Sequence, residues 1–393
     1  MTGSAGGYRS VVTASQTATD TPPTGEALRA AFDHPVELTV AAEEELLLLD
    51  PQTFDLTSAA PGLFLDLADP DRYRQEISPA QLEIVSDVCT TSGEVRDQLA
   101  EGRRHAIAAA GGSLRLAGVG AHPFALPWSD IGDAPRYTAL LAEHQLGARL
   151  GALAAGLHVH VAVCGAERAL AVHNALRTLM PALVALSANA PYIAGIDSGL
   201  ATVRCTLADA LPRHGTGPSF TTWEAYDEAL RWGRTTGAVP DASQFWWDCR
   251  LNVRTGTIEV RAPDAQAGLN EAEALIAVVH AAVADLCARH DAGEFLPVHE
   301  VIAIEENRWR AARYGLEGDM IDAETESQRP GREVIADILD RLAPAAERCG
   351  AAPGIRHARA MLARDVPGEL REIGESRGLP ALCRFLAERT EVA

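Results

Sequence analysis

Ionisable residues occur at every second position in several short segments of this chain that are otherwise apolar. Side chains of a β-strand alternate between its two faces, so this spacing predicts strands with one polar face and one apolar face. In the segment AAEEELLLLD, which covers residues 41–50, the dipeptide Asp50-Pro51 is expected to end the strand. Strands are predicted over residues 36–49, 81–85, 113–119, 158–163, 245–250 and 257–261.

Apolar residues at helical spacing predict the elements between and after these strands. Thr91 is predicted to cap a helix, because Glu94 three residues later completes a capping box, and Gly111-Gly112 is predicted to end it. Because the strands do not alternate regularly with helices, a doubly wound parallel sheet is disfavoured and one large α+β domain is expected. Further helices are predicted over residues 167–186 (kinked at Pro181), 270–287, 302–313, 333–341 and 380–389.

The first 32 residues differ in composition from the rest, being rich in Gly, Ser, Thr, Ala and Pro. They lack the apolar core of a signal peptide, and we expect residues 1–32 to be a flexible tail and residues 33–393 to be a single domain. No uninterrupted apolar run reaches about 18 residues, so no transmembrane helix is expected. The seven cysteines are scattered and contain no C-x-x-C pair, which is typical of a reduced cytoplasmic protein.

Charge restricts the partners that this chain can have. The net charge of -20 argues against nucleic acid and anionic membranes. The sequence contains no lysine, so a P-loop lysine, a lysine Schiff base and a lysine general base are all excluded. A phosphate group can therefore meet only arginine, histidine, backbone amides or a metal ion.

Two glutamates of the first predicted strand share one face. Glu43 and Glu45 lie two residues apart, whereas Glu44 points to the opposite face. Neighbouring carboxylates repel each other and have raised pKa values, and a divalent cation removes that cost. From this segment alone, an exposed strand with solvated glutamates remains an equal alternative.

The same spacing recurs in the other predicted strands. Each pair alone is weak evidence, because an H-x-H pair is often structural and a Glu-x-Arg pair is often a surface ion pair. Together they predict one polar sheet face that binds metal ions and an anion, since such a face is costly to build without a ligand. The residues concerned are His158 with His160, Glu259 with Arg261, Asp248 with Arg250, and Glu83 with Glu76 just upstream.

The types of side chain on this predicted polar face restrict which metal ions and anions it can bind. Several carboxylates with one or two histidines suit Mg²⁺ or Mn²⁺, whereas a zinc hydrolase would use more nitrogen or sulfur ligands. Arg204, Arg250 and Arg261 suit a carboxylate or phosphate bound through two parallel hydrogen bonds. Carboxylate-bound metals together with arginines describe a site for a nucleoside triphosphate.

The chain contains an ordered series of motifs, which are AEEELLLLD, AQLEIVSDVCT, GAHPF, PRY, GLHVHV, LSANAPY, IDSG, WWDCR, GTIEVRAPD and ENRWRAARYGLEG. This series resembles the carboxylate-amine ligase family, also called glutamate–cysteine ligase type 2. The resemblance extends from about residue 36 to the C-terminus and is specific for the family, though not for a substrate.

This resemblance implies a glutamine-synthetase-like catalytic fold over residues 33–393, with a curved, mostly antiparallel sheet and helices on its outer face. It implies ATP with Mg²⁺ or Mn²⁺ as cofactors, and catalytic roles for Arg261, Arg250 and His160. Arg204, Arg261 and Arg308 would contact the nucleotide, although a structural salt bridge is an equal alternative for Arg308. The implied metal ligands are Glu43, Glu45, Glu76, Glu83, His158 and Glu259.

The expected reaction is ATP-dependent amide formation between a carboxylate, that of the glutamate side chain, and an amine. Ala41, Ala121 and Ala162 replace residues usual in the family and leave the amine open. The alternatives are an amide ligase that uses an amine other than cysteine, a degenerate ligase that binds nucleotide without turnover, and a metallohydrolase built on His158 and His160. The expected partners are small molecules, and a homo-oligomer remains open.

Overall fold

A computed structural model describes residues 25–33, 36–67, 69–127, 130–239, 242–322 and 325–391. Within these residues, helices and strands follow each other irregularly along the chain, as expected for an α+β protein. The helices are α1 Gly25–Ala30, α2 Ala60–Asp66, α3 Ser92–Ala110, α4 Pro135–His144, α5 Leu146–Gly151, α6 Ala166–Leu176, α7 Met180–Ser187, α8 Arg204–Ala208, α9 Trp223–Thr236, α10 Leu269–Asp291, α11 Val301–Tyr314, α12 Gly331–Arg348, α13 Ala352–Met361, α14 Val366–Arg377 and α15 Leu379–Glu391.

One seven-stranded sheet lies at the centre of the described structure, and every strand pair in it is antiparallel. Its strand order is β2-β3-β1-β5-β9-β8, with β4 also paired to β1. Two small hairpins, β6-β7 and β10-β11, lie apart from it. The strands are β1 Val40–Leu49, β2 Tyr73–Gln75, β3 Gln81–Val85, β4 Arg115–Ala117, β5 Leu157–Ala162, β6 Tyr192–Ile193, β7 Ile196–Asp197, β8 Cys249–Asn252, β9 Thr257–Val260, β10 Asp319–Asp322 and β11 Ser327–Pro330.

The apolar face of the central sheet faces the helical layer. Leu46, Leu82, Val159 and Ile258 are fully buried in the main hydrophobic core. Helix α3 contacts β1 and β3, and the long helix α10 contacts β5 and also packs on α3, α6, α12 and α13. Because period-2 alternation sends these apolar residues to one side, the intervening ionisable residues must face the other side.

The same apolar side contains one fully buried ion pair. Glu44 accepts a bidentate pair of hydrogen bonds from Arg103 of α3, and neither residue is exposed. The Arg103 guanidinium also donates to the backbone carbonyls of Gln266, Ala267 and Thr390. This single side chain therefore links β1, α3, the segment after β9 and the last helix, and the sequence pattern gave no indication of it.

Local sequence explains several boundaries. Thr91 and Glu94 form the predicted capping box at the start of α3, and Gly111 ends the helix with a left-handed φ of 55°. The predicted helix over residues 167–186 is divided into α6 and α7 by a 3₁₀ turn, and Pro181 lies in the first turn of α7. Proline fits there because the first helical turn requires no backbone N–H donor.

Two expectations need correction. Residues 25–32 do not behave as a tail, because they include α1 and the buried side chains of Leu28 and Phe32; residues 1–24 lie outside the described part. The strand expected over 245–250 begins only at Cys249. Upstream of it, the carbonyls of Ser243 and Phe245 accept hydrogen bonds from the Arg250 guanidinium rather than from a neighbouring strand.

The run Ala166–Ser187 is, by length and composition alone, apolar enough to cross a membrane. However, 89% of its apolar window is buried inside the described structure. A core helix passes the same compositional test, and α6 and α7 contribute many residues to the main core.

Candidate active site

Antiparallel pairing brings the predicted ionisable residues together on one face of the sheet. Glu43 of β1 lies directly opposite His158 of β5, and Glu45 lies opposite Glu83 of β3. His160 likewise pairs with Glu259 of β9, which pairs in turn with Arg250 of β8. Directly opposed side chains on one sheet face are about 5 Å apart at their Cβ atoms, so this register assembles a continuous polar surface.

Two groups of possible metal ligands meet at His158. One consists of Glu43, His158 and Glu259, and the other of Glu45, Glu83 and His158. Within each group the ligand atoms lie within 4.8 Å of one another. Because each group found in the described residues contains one histidine, His158 and His160 do not share a two-histidine site there, which disfavours the metallohydrolase alternative.

The carboxylates of this surface strongly perturb one another. Burial and the charge of Glu76 raise the pKa of Glu45 to about 7. Burial, followed by the charges of Glu43 and Glu76, holds the pKa of Glu83 well above its usual range. For Glu43, burial alone would raise the pKa, but the charge of His160 and hydrogen bonds to histidines lower it. The Glu45–Glu83 side thus carries excess negative charge that a divalent cation would neutralise.

Glu76, the sixth predicted metal ligand, lies just after β2 and outside both of these groups. Its carboxylate accepts a hydrogen bond from the backbone N–H of Ile77 at 3.3 Å. Glu76 and Glu45 both line a cavity beside the sheet. The structure therefore brings the Glu76 carboxylate to the site, although not into either ligand group.

Two arginines beside this surface, Arg261 just after β9 and Arg204 of α8, keep polar atoms without a protein partner. Arg261 donates to Glu259 at 2.7 Å and lies 3.3 Å from His158 Nδ1, while its Nε is buried and unpaired. Arg204 donates to the backbone carbonyls of Ala262 and Arg261, and its Nε is likewise buried and unpaired. Both side chains line the cavity, so they are suited to an anionic group there.

Arg250, in contrast, has its guanidinium donors engaged by the protein. It makes a bidentate pair of hydrogen bonds to Glu259, at 2.8 and 2.9 Å, and its remaining terminal nitrogen donates to the carbonyls of Ser243 and Phe245. Arg250 still lines the cavity. Its contacts indicate that it orients Glu259 and the chain before β8, in addition to any contact with substrate.

His160, expected to be catalytic, lies between two carboxylates. Its Nδ1 is 3.1 Å from Thr257 Oγ1, and its Nε2 is 3.5 Å from a carboxylate oxygen of Glu43. Burial lowers the pKa of His160, but the charges of Glu259 and Glu43 outweigh it and raise the pKa overall. Among the described residues, His160 does not line the cavity, and neither do Glu43, Glu83 and Glu259. The contacts of His160 to Thr257 and Glu43 place it to orient Glu43.

Arg308 is fully engaged in ion pairs away from the cavity lining. Its Nε donates to Asp248 at 2.6 Å, and its two terminal nitrogens donate to Asp209 at 2.7 and 2.9 Å. The side chain is only 7% exposed. These contacts favour the structural salt bridge over a nucleotide contact, the two alternatives that the sequence left open for this residue.

The cavity beside the sheet has a volume of about 410 Å³. Sequence reasoning missed several of its lining residues, because α4 carries no period-2 ionisable pattern and Trp246 is not ionisable. Tyr137 and Trp246 lie inside the family motifs PRY and WWDCR, which was the available indication. The missed residues include Gln81, Tyr137, Leu140, Glu143, His144, Leu211, His214 and Trp246.

Comparison with known proteins identifies the family. A model of the family described as "Glutamate-cysteine ligase family 2(GCS2)" matches residues 39–378. The chain belongs to this family. Membership confirms the family expected from the sequence and its enzyme class, an ATP-dependent carboxylate-amine ligase.

Relatives within glutamate-cysteine ligase family 2 match over most of their length. Two of them bear the name "Putative glutamate--cysteine ligase", numbered 2-1 in Mycolicibacterium vanbaalenii and 2-3 in Nocardioides sp.. The first is 36% identical over 81% of this chain and 84% of its own length. The second is 37% identical over 82% of this chain and 87% of its own length.

Solved structures with little sequence similarity share the fold. A glutamate–cysteine ligase from Francisella tularensis in complex with AMP has a TM-score of 0.64 at 10% identity, covering 92% of this chain and 91% of that chain. A bifunctional glutathione synthetase from Pasteurella multocida has a TM-score of 0.62 at 13% identity, covering 93% of this chain and 53% of that one. The predicted α+β fold class, with its mostly antiparallel sheet, is confirmed.

Proposed function

We propose that this ligase joins the side-chain carboxylate of glutamate to an amine, using ATP and an acyl-phosphate intermediate. The observation that carries this proposal is the polar sheet face, where two groups of carboxylates share His158 beside the unpaired nitrogens of Arg204 and Arg261. Metal-binding acids next to free arginine donors suit a polyphosphate, and family membership supports ATP as its source.

The carboxylate groups fit Mg²⁺ or Mn²⁺. Both cations prefer oxygen ligands. Burial, and after it the charges of neighbouring carboxylates, raises the pKa values of Glu45 and Glu83, and a cation would compensate those charges. Glu45, Glu83 and His158 would hold one ion, and Glu43 and Glu259 with His158 would supply the other ligand set. A bound ion supplies positive charge against the phosphate oxygens.

In the first step, an oxygen of the glutamate side-chain carboxylate attacks the γ-phosphorus of ATP. The bond from that phosphorus to the bridging oxygen breaks, and ADP leaves with the electron pair. Arg261 and Arg204 are suited to stabilise the charge on the transferred phosphoryl group, because each has an unpaired donor and lines the cavity.

In the second step, the nitrogen of the neutral amine attacks the acyl carbon. The bond between that carbon and the phosphate oxygen breaks, inorganic phosphate leaves, and the amide remains. The nitrogen also loses a proton, for which Glu76 offers a carboxylate on the cavity surface outside both metal-ligand groups. Because His160 lies outside the cavity lining, we assign the proton acceptor to Glu76 instead.

The test is phosphate release from ATP with Mg²⁺ or Mn²⁺, glutamate and a panel of amines that includes cysteine, followed by mass spectrometry of the amide. We expect release that depends on both glutamate and an amine. Replacing Glu43 or Glu259 by Gln should reduce turnover by at least ~100-fold, because each change removes a charge from the proposed metal and phosphate site.

Glu228→Gln is the matched control, since Glu228 lies on α9 with its side chain 63% exposed and should leave turnover unchanged. A fully active Glu43→Gln or Glu259→Gln variant would contradict the proposed roles of these residues. Absence of release with every pair would mean that the acid is not glutamate or that the protein does not turn over ATP.

A further inference from the structure

The cavity has two chemically different sides. The sheet side presents Glu45 and His158 together with the arginines described above. Another part of the lining, here called the apolar wall, consists of side chains from a hydrophobic cluster separate from the main core. The apolar wall comprises Ile77, Tyr137, Leu140, Leu211 and Trp246, all of which also line the cavity.

Trp246 is held in place by its neighbours. The imidazole of His214 stacks on its ring at a centroid distance of 5.8 Å and an interplanar angle of 19°. His144 packs edge-on at 6.4 Å, and the Arg213 guanidinium lies 5.5 Å from the ring centroid. Trp246 and the stacked His214 both line the cavity, so this fixed pair offers a rigid aromatic surface for another ring.

The apolar wall is poorly suited to bind either the glutamate substrate or the phosphates of ATP. A glutamate side chain and a polyphosphate place charge where they need arginines, metal ions and hydrogen-bond donors, all of which lie on the sheet side. A small polar amine such as cysteine would leave most of the apolar wall in contact with water. Filling it with an apolar group gains about 25 cal/mol for each Å² removed from water.

Acidic residues next to the apolar wall favour an amine over a nucleotide. Glu76 precedes Ile77, and Glu143 lies one helical turn after Leu140; both glutamates line the cavity. Arg136 and Arg213 are also present, but each guanidinium packs on an aromatic ring of the apolar wall, that of Tyr137 at 4.3 Å and that of Trp246 at 5.5 Å. Each also donates to a backbone carbonyl, that of Gln75 and that of Gln244 respectively. Carboxylates attract an ammonium group and repel a nucleotide that carries several negative charges.

We propose that the amine joined by this ligase carries an aromatic ring, which packs against Trp246 and the apolar wall while the nitrogen faces the acyl group on the sheet side. This proposal deepens the proposed function and rests on it for the identity of the reaction. It excludes cysteine as the preferred amine, whereas the proposed function is satisfied by any amine.

The first experiment compares amines at fixed ATP, Mg²⁺ and glutamate. Phenethylamine, tyramine and benzylamine are compared with cysteine, ethanolamine and methylamine, and kcat/KM is measured for each from phosphate release. We expect the aromatic amines to be favoured by at least ~tenfold, the scale on which aromatic packing and apolar burial act. Preference for cysteine or methylamine would overturn the proposal while leaving the ligase reaction intact.

The second experiment uses Trp246→Ala and Trp246→Phe. Trp246→Ala should raise KM for phenethylamine about tenfold and leave KM for ATP unchanged, whereas Trp246→Phe should restore most of the affinity. Trp232→Ala is the control, because Trp232 is an exposed tryptophan of α9 that does not line this cavity. A rise in KM for ATP alone would overturn the proposal, because the apolar wall would then hold the nucleotide base.

A direct measurement of amine binding tests the aromatic amine site independently of the ligase reaction. Titration calorimetry of phenethylamine into the ATP-free protein should show binding that Trp246→Ala weakens and Trp232→Ala does not, with melting temperatures verifying that both variants fold. Such binding without turnover would support the aromatic amine site and contradict the ligase reaction as proposed. Equal binding of phenethylamine by wild type and a folded Trp246→Ala would overturn the site.

Discussion

The two faces of strand β1 hold buried glutamates in opposite electrostatic situations. Glu44, on the helix side, accepts a bidentate pair from Arg103, whose other hydrogen bonds go to backbone carbonyls. Glu45, one residue later, faces other carboxylates, and burial with the charge of Glu76 raises its pKa to about 7. A buried carboxylate with a fully hydrogen-bonded counter-ion contributes to the stability of the fold. A buried carboxylate among like charges is instead typical of a cation-binding site.

The largest expected effect, a loss of stability, comes from breaking the ion pair between Glu44 and Arg103. Glu44→Gln leaves the Arg103 charge buried without its counter-ion, so the free energy of unfolding should fall by ~3–5 kcal/mol. Urea unfolding followed by circular dichroism measures this change. The protein that remains folded should keep its turnover within severalfold, because Glu44 does not face the cavity.

A double variant sharpens this result. Glu44→Leu combined with Arg103→Met removes both charges and should cost less stability than the sum of the two single changes. If Glu44→Gln unfolded at the same urea concentration as wild type, the structural role assigned to this pair would be wrong.

Glu45→Gln should have the opposite effects, a loss of turnover without a loss of stability. We expect turnover to fall by at least ~100-fold, because a proposed metal ligand is lost, while the stability of the metal-free protein stays equal or increases. The stability gain follows from the raised pKa: ionising Glu45 costs folding free energy that is absent below about pH 4.5 and complete above pH 7. An amide does not ionise, so the variant avoids this cost.

Phosphate release and urea unfolding at pH 8 and at pH 4.5, in a metal-chelating buffer, test this prediction. Relative to wild type, the variant's stability gain should be larger at pH 8. Glu228→Gln should change neither property. If Glu45→Gln lowered the free energy of unfolding at pH 8, Glu45 would stabilise the fold as Glu44 does, and the contrast between the two faces of β1 would be wrong.

The smallest expected effect is stabilisation by the cation itself. Added Mg²⁺ should raise the melting temperature more at pH 8 than at pH 5, because protons compete with the cation for Glu45 and Glu83, whose pKa values are raised. A cation at 100 times its dissociation constant contributes about 2.7 kcal/mol. Glu83→Gln should reduce this shift, and a shift of equal size at both pH values would contradict cation binding by these carboxylates.

Much of this architecture could be predicted from local sequence. The strand containing Glu43 and Glu45, the capping box of α3 and the long apolar helix α10 all follow from period and propensity. The segment 245–250 was harder, because the Phe245 carbonyl accepts its hydrogen bond from the Arg250 side chain and the strand begins only at Cys249. Helix α4 was missed, and with it one side of the cavity.

The sequence by itself determined which residues share a face, because side-chain alternation depends only on position along a strand. It also excluded lysine chemistry and indicated the family. Only the tertiary structure decided which strands are neighbours, and therefore that Glu45 opposes Glu83 and that Glu43 opposes His158. It likewise decided that Arg308 pairs with two aspartates and that Trp246 borders the cavity, since these contacts join residues far apart in the chain.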